Sequence, residues 1–593
     1  MISTLFRKIF LLIEWVQTKL NKKQFIIFSS ILVGLSVGLA AVLLKIFVHY
    51  IYVAATYKGL GDYRYLYLVL PIIGILLTVW VVKYLLKGRL EKGLSHIHFA
   101  ISKKSSIVPK EQMYAQILTS SLTVGFGGSA GLEAPIVITG AAFGSNYSST
   151  YHLSYKERTL LLACGIAAGI GAAFNAPIAG VLFALEVLLI DISISAFTPL
   201  IISAASGALI SKIILQDDIL LSFRLLQPFN YNNIPYYVLL GLLAGVVSVY
   251  HSRVFIAIES IFSKSKGKVY LNVLIGGIAL ALMLYIFPSL FGEGYESIKT
   301  ISLQKPEMLL DNSYFESYKY NEWFVLAFVG ILIFMKVIAT ALTLGSGGNG
   351  GNFAPSLFVG SYLGFFVAKC LNMLHLTHLP ESNFTIVGMA GILSGLYHAP
   401  LTAIFLIAEI TGGYNLMIPL MVVSSISYAV SKYFEPFSMD VKSLGLSGEA
   451  LTNDRDKNLL STIKMSNLIE TNFQKIAPND TLGKLVETIA ISKRNIFPVI
   501  NSKNHLIGII ILDNVREVIF KNDLYEKVKV SELMTLPPAV ILSNESMDAV
   551  MHKFDETGAW NLPVIEDEHY LGFISKSSVF TSYRSKLKDT TIV

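Results

Sequence analysis

The sequence predicts an all-α polytopic membrane domain followed by a small soluble α/β domain, and three observations carry that expectation. Hydrophobic residues make up 53% of the 593 and charged residues only 15%, with a mean hydropathy of +0.60, so most of the chain calls for an apolar solvent. The apolar residues fall in many separate runs, among them 25–55, 64–86, 235–262, 269–290, 322–344 and 415–434, several long enough to cross a hydrocarbon core of about 30 Å as helices. Near residue 437 the pattern changes. After "KYFEPFSMDVKSL" the long runs stop and short strand-like stretches alternate with charged helical ones.

Taken in order, residues 1–23, "MISTLFRKIFLLIEWVQTKLNKK", are amphipathic and basic. Their start is like a signal peptide without a small-residue cleavage site, and the segment reads as a retained cytoplasmic helix lying along the surface. The transmembrane region is then 24–440. The net charge of +7 comes from Lys and Arg at 19–23, 83–110 and in the tail, the juxtamembrane placement expected of cytoplasmic loops rather than a nucleic-acid surface. No nucleic-acid partner is expected. The basic start, and a tail without export or disulfide features, put both termini on the cytoplasmic side of the cell (inner) membrane. Cys164 and Cys370 both lie in apolar runs and read as small core residues. His96 and His98 have no acid or cysteine partner nearby, so no metal site is expected, and His398 is read as a helix-break residue without chemistry.

The membrane region repeats itself. "FNAPIAGVLFALE" (174–186) returns as "YHAPLTAIFLIAE" (397–409), with Gly165 and Gly388 at the same spacing, and "GLEAP" (131–135) returns as "GNFAP" (351–355). Repeats of about 24–230 and 235–440 follow, with Gly/Pro breaks at equivalent places in each, the pattern of a transporter site near the midplane. A break is tolerated there only in buried or cavity-lining backbone. A helix that begins inside the membrane turns unpaired N–H groups and its positive dipole end toward the break, and so attracts an anion. "GFGGSAGLEAP" (125–135) and "GSGGNGGNFAP" (345–355) are expected to supply such ends through Gly131, Leu132, Gly351, Asn352, Phe353 and Ala354, with "FNAP" and "YHAP" as two more.

The tail is a second repeat, of about 65 residues: "IAPNDTLGKLVETIAISKRNIFPVINSKNHLIGIII" (476–511) is echoed by "ILSNESMDAVMHKFDETGAWNLPVIEDEHYLGFIS" (541–575). Each unit reads as a capped helix, a Pro-Val-Ile strand, a polar turn and a second strand carrying Gly508 or Gly572. The units are placed at 446–525 and 526–593, and they resemble a tandem pair of CBS modules.

"GLEAPIV", "GAAFNAPIAGVLFALE" and "GSGGNGGNFAPSLFVG" in turn resemble the signature stretches of the CLC family of chloride channels and chloride/proton antiporters, in family order and spacing. The resemblance implies inverted repeats of broken helices, a homodimer in the lipid bilayer with one anion pathway per subunit, and transport rather than enzymatic chemistry. It also implies that Glu133 is the gating and proton-coupling carboxylate, which occupies an anion position and leaves it when protonated or displaced. The physics agrees, because a carboxylate at membrane depth is costly when charged unless helix N-termini stabilise it. Glu186 and Glu409, each ending an apolar helix, are read as structural acids bonded to backbone or a neighbouring helix.

Proton-coupled members often carry an acid directly after the position of Glu186, where this chain has Val187. Valine there is typical of the channel branch, although some antiporters also lack that acid; a short, prokaryote-like chain with Glu133 intact makes chloride/proton antiport the expectation, with a voltage- or pH-gated channel, or transport of nitrate or bromide, as alternatives. The family's two chloride-facing hydroxyls have no obvious counterpart: Lys92 or Ser95 in "EKGLSHIH" and Asp440 in "FEPFSMDVKSL" stand near their places. Lys92 and Asp440 then either form a charged pore entrance, paired as part of the gate, or are solvated interfacial charges. In the tail, "GFISKSS" fits the ribose-contacting pattern of CBS pairs through Ser575 and Ser578, so one adenine-nucleotide site is expected at most, beside a purely structural role. No cofactor is required.

Overall fold

In hydrocarbon every backbone N–H and C=O must be paired within its own segment, so apolar runs of this length become helices. The computed structural model describes residues 11, 13–55, 65–187, 194–215, 227–265, 267–311, 313–442, 460, 463 and 465–590. The chain divides into two compact units, residues 1–451 with 592–593, and residues 452–591. The domain boundary expected near 446, and residues 1–10 and 12 of the amphipathic start, lie outside the described residues; residues 13–19 are helical.

The first unit is helical: α1 (Lys22–Ala55), α2 (Leu66–Trp80, prolonged by a π-turn Val81–Leu85), α3 (Ser95–Lys103), α4 (Gln112–Gly125), α5 (Glu133–Thr150), α6 (Tyr155–Phe174), α7 (Pro177–Glu186) and α8 (Ile194–Leu215). There follow α9 (Ile234–Lys264), α10 (Val269–Ile286), α11 (Tyr295–Ser302), α12 (Glu322–Gly345), α13 (Phe353–Met373), α14 (Glu381–Tyr397), α15 (Pro400–Ile410) and α16 (Met417–Phe434). Among the described residues nine helical segments are long and apolar enough to span a bilayer, and α7 and α15 are shorter apolar pieces. At 1.5 Å per residue α1 is about 51 Å long, more than enough to cross a core of about 30 Å.

The repeat seen in the sequence is a repeat of structure. Helices α6 and α14 both end on a left-handed residue, Asn175 (φ 55°) and His398 (φ 56°), and both are followed by Ala-Pro, with the proline opening α7 or α15. Asn and His tolerate this conformation better than most residues, and proline at the first helical position gives up an N–H that would be unpaired anyway. Close approach is set by small residues: α5 meets α6 at Gly140 and Gly165, and α13 meets α14 at Gly360 and Gly388, where a Cβ on any of the four would strike the facing backbone. Cys164 is buried, whereas Cys370, expected in the core, is half-buried near the end of α13. His398 rests edge-on against Tyr428, ring centroids 5.7 Å apart.

The second unit is α/β, as the tail pattern predicts. Its first half holds α17 (Leu482–Ile491) and an antiparallel pair, β1 (Ile496–Ile500) and β2 (Leu506–Ile511), with Val499 opposite Gly508. Its second half repeats this with α20 (Met547–Thr557), β4 (Asn561–Glu566) and β5 (His569–Ser575), with Val564 opposite Gly572, and β3 (Ile541–Leu542) added parallel to β4. Short helices α18 (Leu512–Val515) and α19 (Val530–Leu533) lie between the halves, and α21 (Lys576–Thr590) closes the unit. Thr481 and Ser546 cap the equivalent helices by accepting from the N–H three residues on. Phe473, Ile496, Ile509, Tyr570 and Phe573 form a buried cluster that joins the two halves.

Candidate functional site: a cavity at three helix ends

Three helices begin at one cavity. It has a volume of about 160 Å³ and is lined by Gly93, Leu94 and Ser95 at the start of α3, by Glu133 and Ala134 at the start of α5, and by Asn352 and Phe353 at the start of α13. At roughly 30 Å³ per water it holds a few water-sized particles. The N-terminal ends add positive potential to a wall that also carries Lys92, Glu133, Glu259 and Asp440. Helix α3 was not foreseen as one of these ends. Phe183, Phe255 and Tyr397 supply aromatic walls.

The ends of α5 and α13 are held by a two-fold interlock of the loops before them. Gly131 and Gly351 exchange both backbone hydrogen bonds at 2.8 Å, an isolated antiparallel bridge between equivalent residues of the repeats. Around it the Thr123 hydroxyl accepts the Asn349 N–H at 2.9 Å, and the Thr343 hydroxyl accepts the Ser129 N–H at 3.1 Å. These pairs are related by the same spacing as the sequence repeat. An antiparallel bridge between equivalent residues is itself a local two-fold, so the duplication is written into the hydrogen bonds.

This interlock corrects the anion-site expectation. Gly131 and Gly351 spend their N–H groups on each other, the Ala354 N–H donates to Glu133 Oε2 at 3.3 Å, and Leu132 does not line the cavity. Among the described residues only Asn352 and Phe353, of the six predicted donors, keep cavity-lining N–H groups without a protein acceptor. The "FNAP" and "YHAP" ends are not anion sites either. Glu409 Oε1 and Oε2 accept the N–H groups of Ile178 and Ala179 at 3.1 and 2.8 Å, and Glu186 accepts those of Leu401 and Thr402 at 3.0 and 2.7 Å. Each acid that ends one repeat's helix caps the first turn of its counterpart, which is the structural role read for both.

Glu133 is 1% exposed at the first residue of α5. Its Oε1 accepts a hydrogen bond from the Tyr295 hydroxyl and its Oε2 the one from Ala354. Lys92, Ser95 and Asp440 all line the same cavity, so the reading of Lys92 and Asp440 as solvated interfacial charges fails. Their direct pairing fails too: Lys92 Nζ donates to the carbonyls of Gly347 and Gly348, 2.8 Å each, and Asp440 Oδ2 is buried without a partner. Asp440 is placed by the segment after α16. There Met439 N–H donates to the Leu396 carbonyl at 3.2 Å, Met439 Sδ accepts from Asn352 Nδ2 at 3.1 Å, and Glu435 pairs with Arg253 and Lys442 at 2.6 and 2.5 Å.

Several site residues escaped the sequence reading. Tyr397, inside "YHAP", faces the cavity with Phe353 against its ring, centroids 5.6 Å apart; its place before a break was the one available signal. Glu259 stands at the cavity on α9. Tyr295 and Glu293 come from "FGEGYESI", and nothing local to that stretch points to Glu133. His98 is buried with both ring nitrogens unpartnered and His96 is exposed; among the described residues no cluster of ligand side chains suits a metal. In the second unit the Ser575 hydroxyl donates to Glu470 Oε1 at 2.9 Å and accepts the Ser578 N–H at 3.1 Å, and Glu470 is also paired with Arg494 at 2.6 Å.

A polytopic membrane protein whose two repeats aim broken helices at one small, anion-favouring cavity is a channel or transporter rather than an enzyme. Comparison with known proteins gives the family: residues 73–432 match the voltage gated chloride channel profile, and residues 465–521 and 530–585 each match the CBS domain. The chain belongs to the voltage gated chloride channel (CLC) family and carries a CBS pair after its membrane unit. It is 27% identical over 369 residues, 61% of this chain and 82% of the relative, to a putative chloride channel protein ClcB-like of Ralstonia nicotianae. It is 28% identical over 321 residues, 53% of this chain and 71% of the relative, to the voltage-gated ClC-type chloride channel ClcB of Escherichia coli. Among solved structures the fold is similar to a slow cyanobacterial Cl-/H+ antiporter (TM-score 0.61, 21% identity, 72% of this chain and 98% of that one). It is also similar to a eukaryotic CLC transporter (TM-score 0.59, 18% identity, 93% and 97%).

Proposed function

We propose that this protein moves chloride across the cell membrane in exchange for protons, with Glu133 as the group that both gates the anion path and carries the proton. The observation that carries the reading is the position of Glu133. Its carboxylate occupies the end of the cavity at the N-termini of α5 and α13, held only by a hydroxyl and an N–H, donors that serve an anion equally well. Protonation removes the charge that those donors stabilise, so the side chain leaves and the place opens to chloride; an incoming chloride drives the carboxylate out by the same competition. The relatives named as chloride channels and the Cl-/H+ antiporter fold support the substrate and the coupling.

Further parts of the reading rest on the family: a homodimer in the bilayer, with one pathway per subunit and both termini in the cytoplasm of a cell with this inner-membrane protein. Gating without coupling is the second reading, and one observation favours it: Val187, buried at 6% exposure, stands where proton-coupled relatives often have an acid. Nitrate or bromide in place of chloride is the third, because Lys92 and Asp440 stand at the cavity beside Ser95 and Tyr397, near the places where the family carries its two chloride-facing hydroxyls. An adenine nucleotide at Ser575 and Ser578 would have to displace Glu470 from the Ser575 hydroxyl.

The test is anion efflux from proteoliposomes with internal pH recorded at the same time. Chloride flow that drives protons uphill, lost in Glu133→Gln while anion flux persists, is the expected outcome. Fast chloride movement with no proton movement in the unmodified protein makes it a channel and ends the exchange reading.

A further inference from the structure

A second polar cluster touches Glu133 but does not line the cavity. It consists of Glu293, Tyr295, Lys45 and Lys336, none of which is in the cavity wall. Its core is the hydrogen bond that the Tyr295 hydroxyl donates to Glu133, and beside it the Gly292 N–H donates to the Gly127 carbonyl at 3.3 Å. Residues 127–133 and 292–295 are thereby tied side by side, and two carboxylates are brought together in the interior. Gly292 and Gly294 flank Glu293 with φ of +64° and +94°, left-handed conformations that few other residues adopt cheaply, so the chain turns sharply on both sides of the acid.

The two lysines do not neutralise these acids by contact. Lys45 Nζ donates to the Ala172 and Ala173 carbonyls at 3.1 and 2.7 Å, at the end of α6, and Lys336 Nζ to those of Leu290 and Gly292 at 3.3 and 3.0 Å. They act on the carboxylates through space rather than by hydrogen bonds, Lys45 on both and Lys336 on Glu293. With Tyr295 these are the charged and titratable groups that face Glu293. Glu293 is half-buried where Glu133 is almost sealed, and its Oε1 is buried without any partner. A carboxyl group with one oxygen unpartnered, beside a second carboxylate and less sealed than it, is what a proton acceptor requires.

We infer that Glu293 is the proton donor and acceptor that serves Glu133, so that protons reach the gate through the Glu293–Tyr295 cluster while anions use the cavity. In the step, the Glu133 carboxyl loses its proton as the Glu293 carboxylate gains it, and Glu293 then passes it to water. One O–H bond breaks for each that forms, and no other group is consumed. This deepens the exchange reading and rests on Glu133 being the gate.

The experiment is paired chloride and proton flux in proteoliposomes for the unmodified protein, Glu293→Gln and Glu293→Asp, with chloride flux also followed against pH. Proton flux in Glu293→Gln is expected to fall about tenfold or more while chloride flux stays within about threefold, and Glu293→Asp restores the protons. A Glu293→Gln protein that keeps the unmodified proton-to-chloride ratio overturns the inference and leaves the exchange reading standing. Loss of both fluxes in both variants also overturns it, since that is the mark of a structural acid. If the unmodified protein moves no protons, the exchange reading falls; the inference then stands only if Glu293→Gln displaces the pH dependence of chloride flux, and is refuted if it does not.

Discussion

Removing the Glu186 carboxylate tests whether the crossed caps hold the membrane unit together without taking part in transport. In Glu186→Ala the N–H groups of Leu401 and Thr402 lose acceptors at 3.0 and 2.7 Å, and the Thr402 hydroxyl loses one at 2.7 Å. Capping residues contribute about 0.5–2 kcal/mol in water, and each hydrogen bond to a charged group about 1.5–3 kcal/mol. Glu186 is half-buried, so its own desolvation offsets part of this, and a net loss of about 2–4 kcal/mol remains. At roughly 1–2 °C per kcal/mol for a domain of this size, the melting temperature in detergent drops by about 2–8 °C. Neither Glu186 nor Glu409 lines the cavity, so the protein that remains folded transports with an unchanged proton-to-chloride ratio. Glu409→Ala, which strips the mirror-image cap from α7, behaves the same way. A Glu186→Ala protein that melts with the unmodified one would refute the argument, as would one of normal stability whose coupling ratio changes.

Two further outcomes are expected. Tyr397→Phe deletes a cavity-facing hydroxyl and weakens chloride binding, followed by titration calorimetry, about three- to tenfold, the equivalent of a hydrogen bond of about 1 kcal/mol; an unchanged affinity means the ring is only a wall. Ser575→Ala removes the bonds to Glu470 and from Ser578 and costs about 1 kcal/mol in hydrogen-exchange protection of β5, with or without adenine nucleotide; a loss confined to the nucleotide-bound protein would assign that hydroxyl to a ribose instead.

Sequence alone determined the membrane class, the two repeats, the tail pair and Glu133. All of these rest on signals local to the chain or repeated along it: apolar runs of spanning length, Ala-Pro breaks at matched spacing, and an acid where acids are costly. The capped helices and Pro-Val strands of the tail were legible for the same reason. What only the tertiary structure decided is which groups at the breaks remain free. "GLEAP" and "GNFAP" carry the same N–H groups in sequence, but Gly131 and Gly351 use theirs on each other, because the two-fold that relates the repeats passes between them. "FNAP" and "YHAP" look like two more anion sites until Glu409 and Glu186 arrive from the opposite repeat. Glu293 and Tyr295 stand some 160 residues from Glu133 along the chain, and no periodicity links them. A hydrogen bond is satisfied by whatever is near in space, so local sequence announces the donor and only the packed chain says which acceptor takes it.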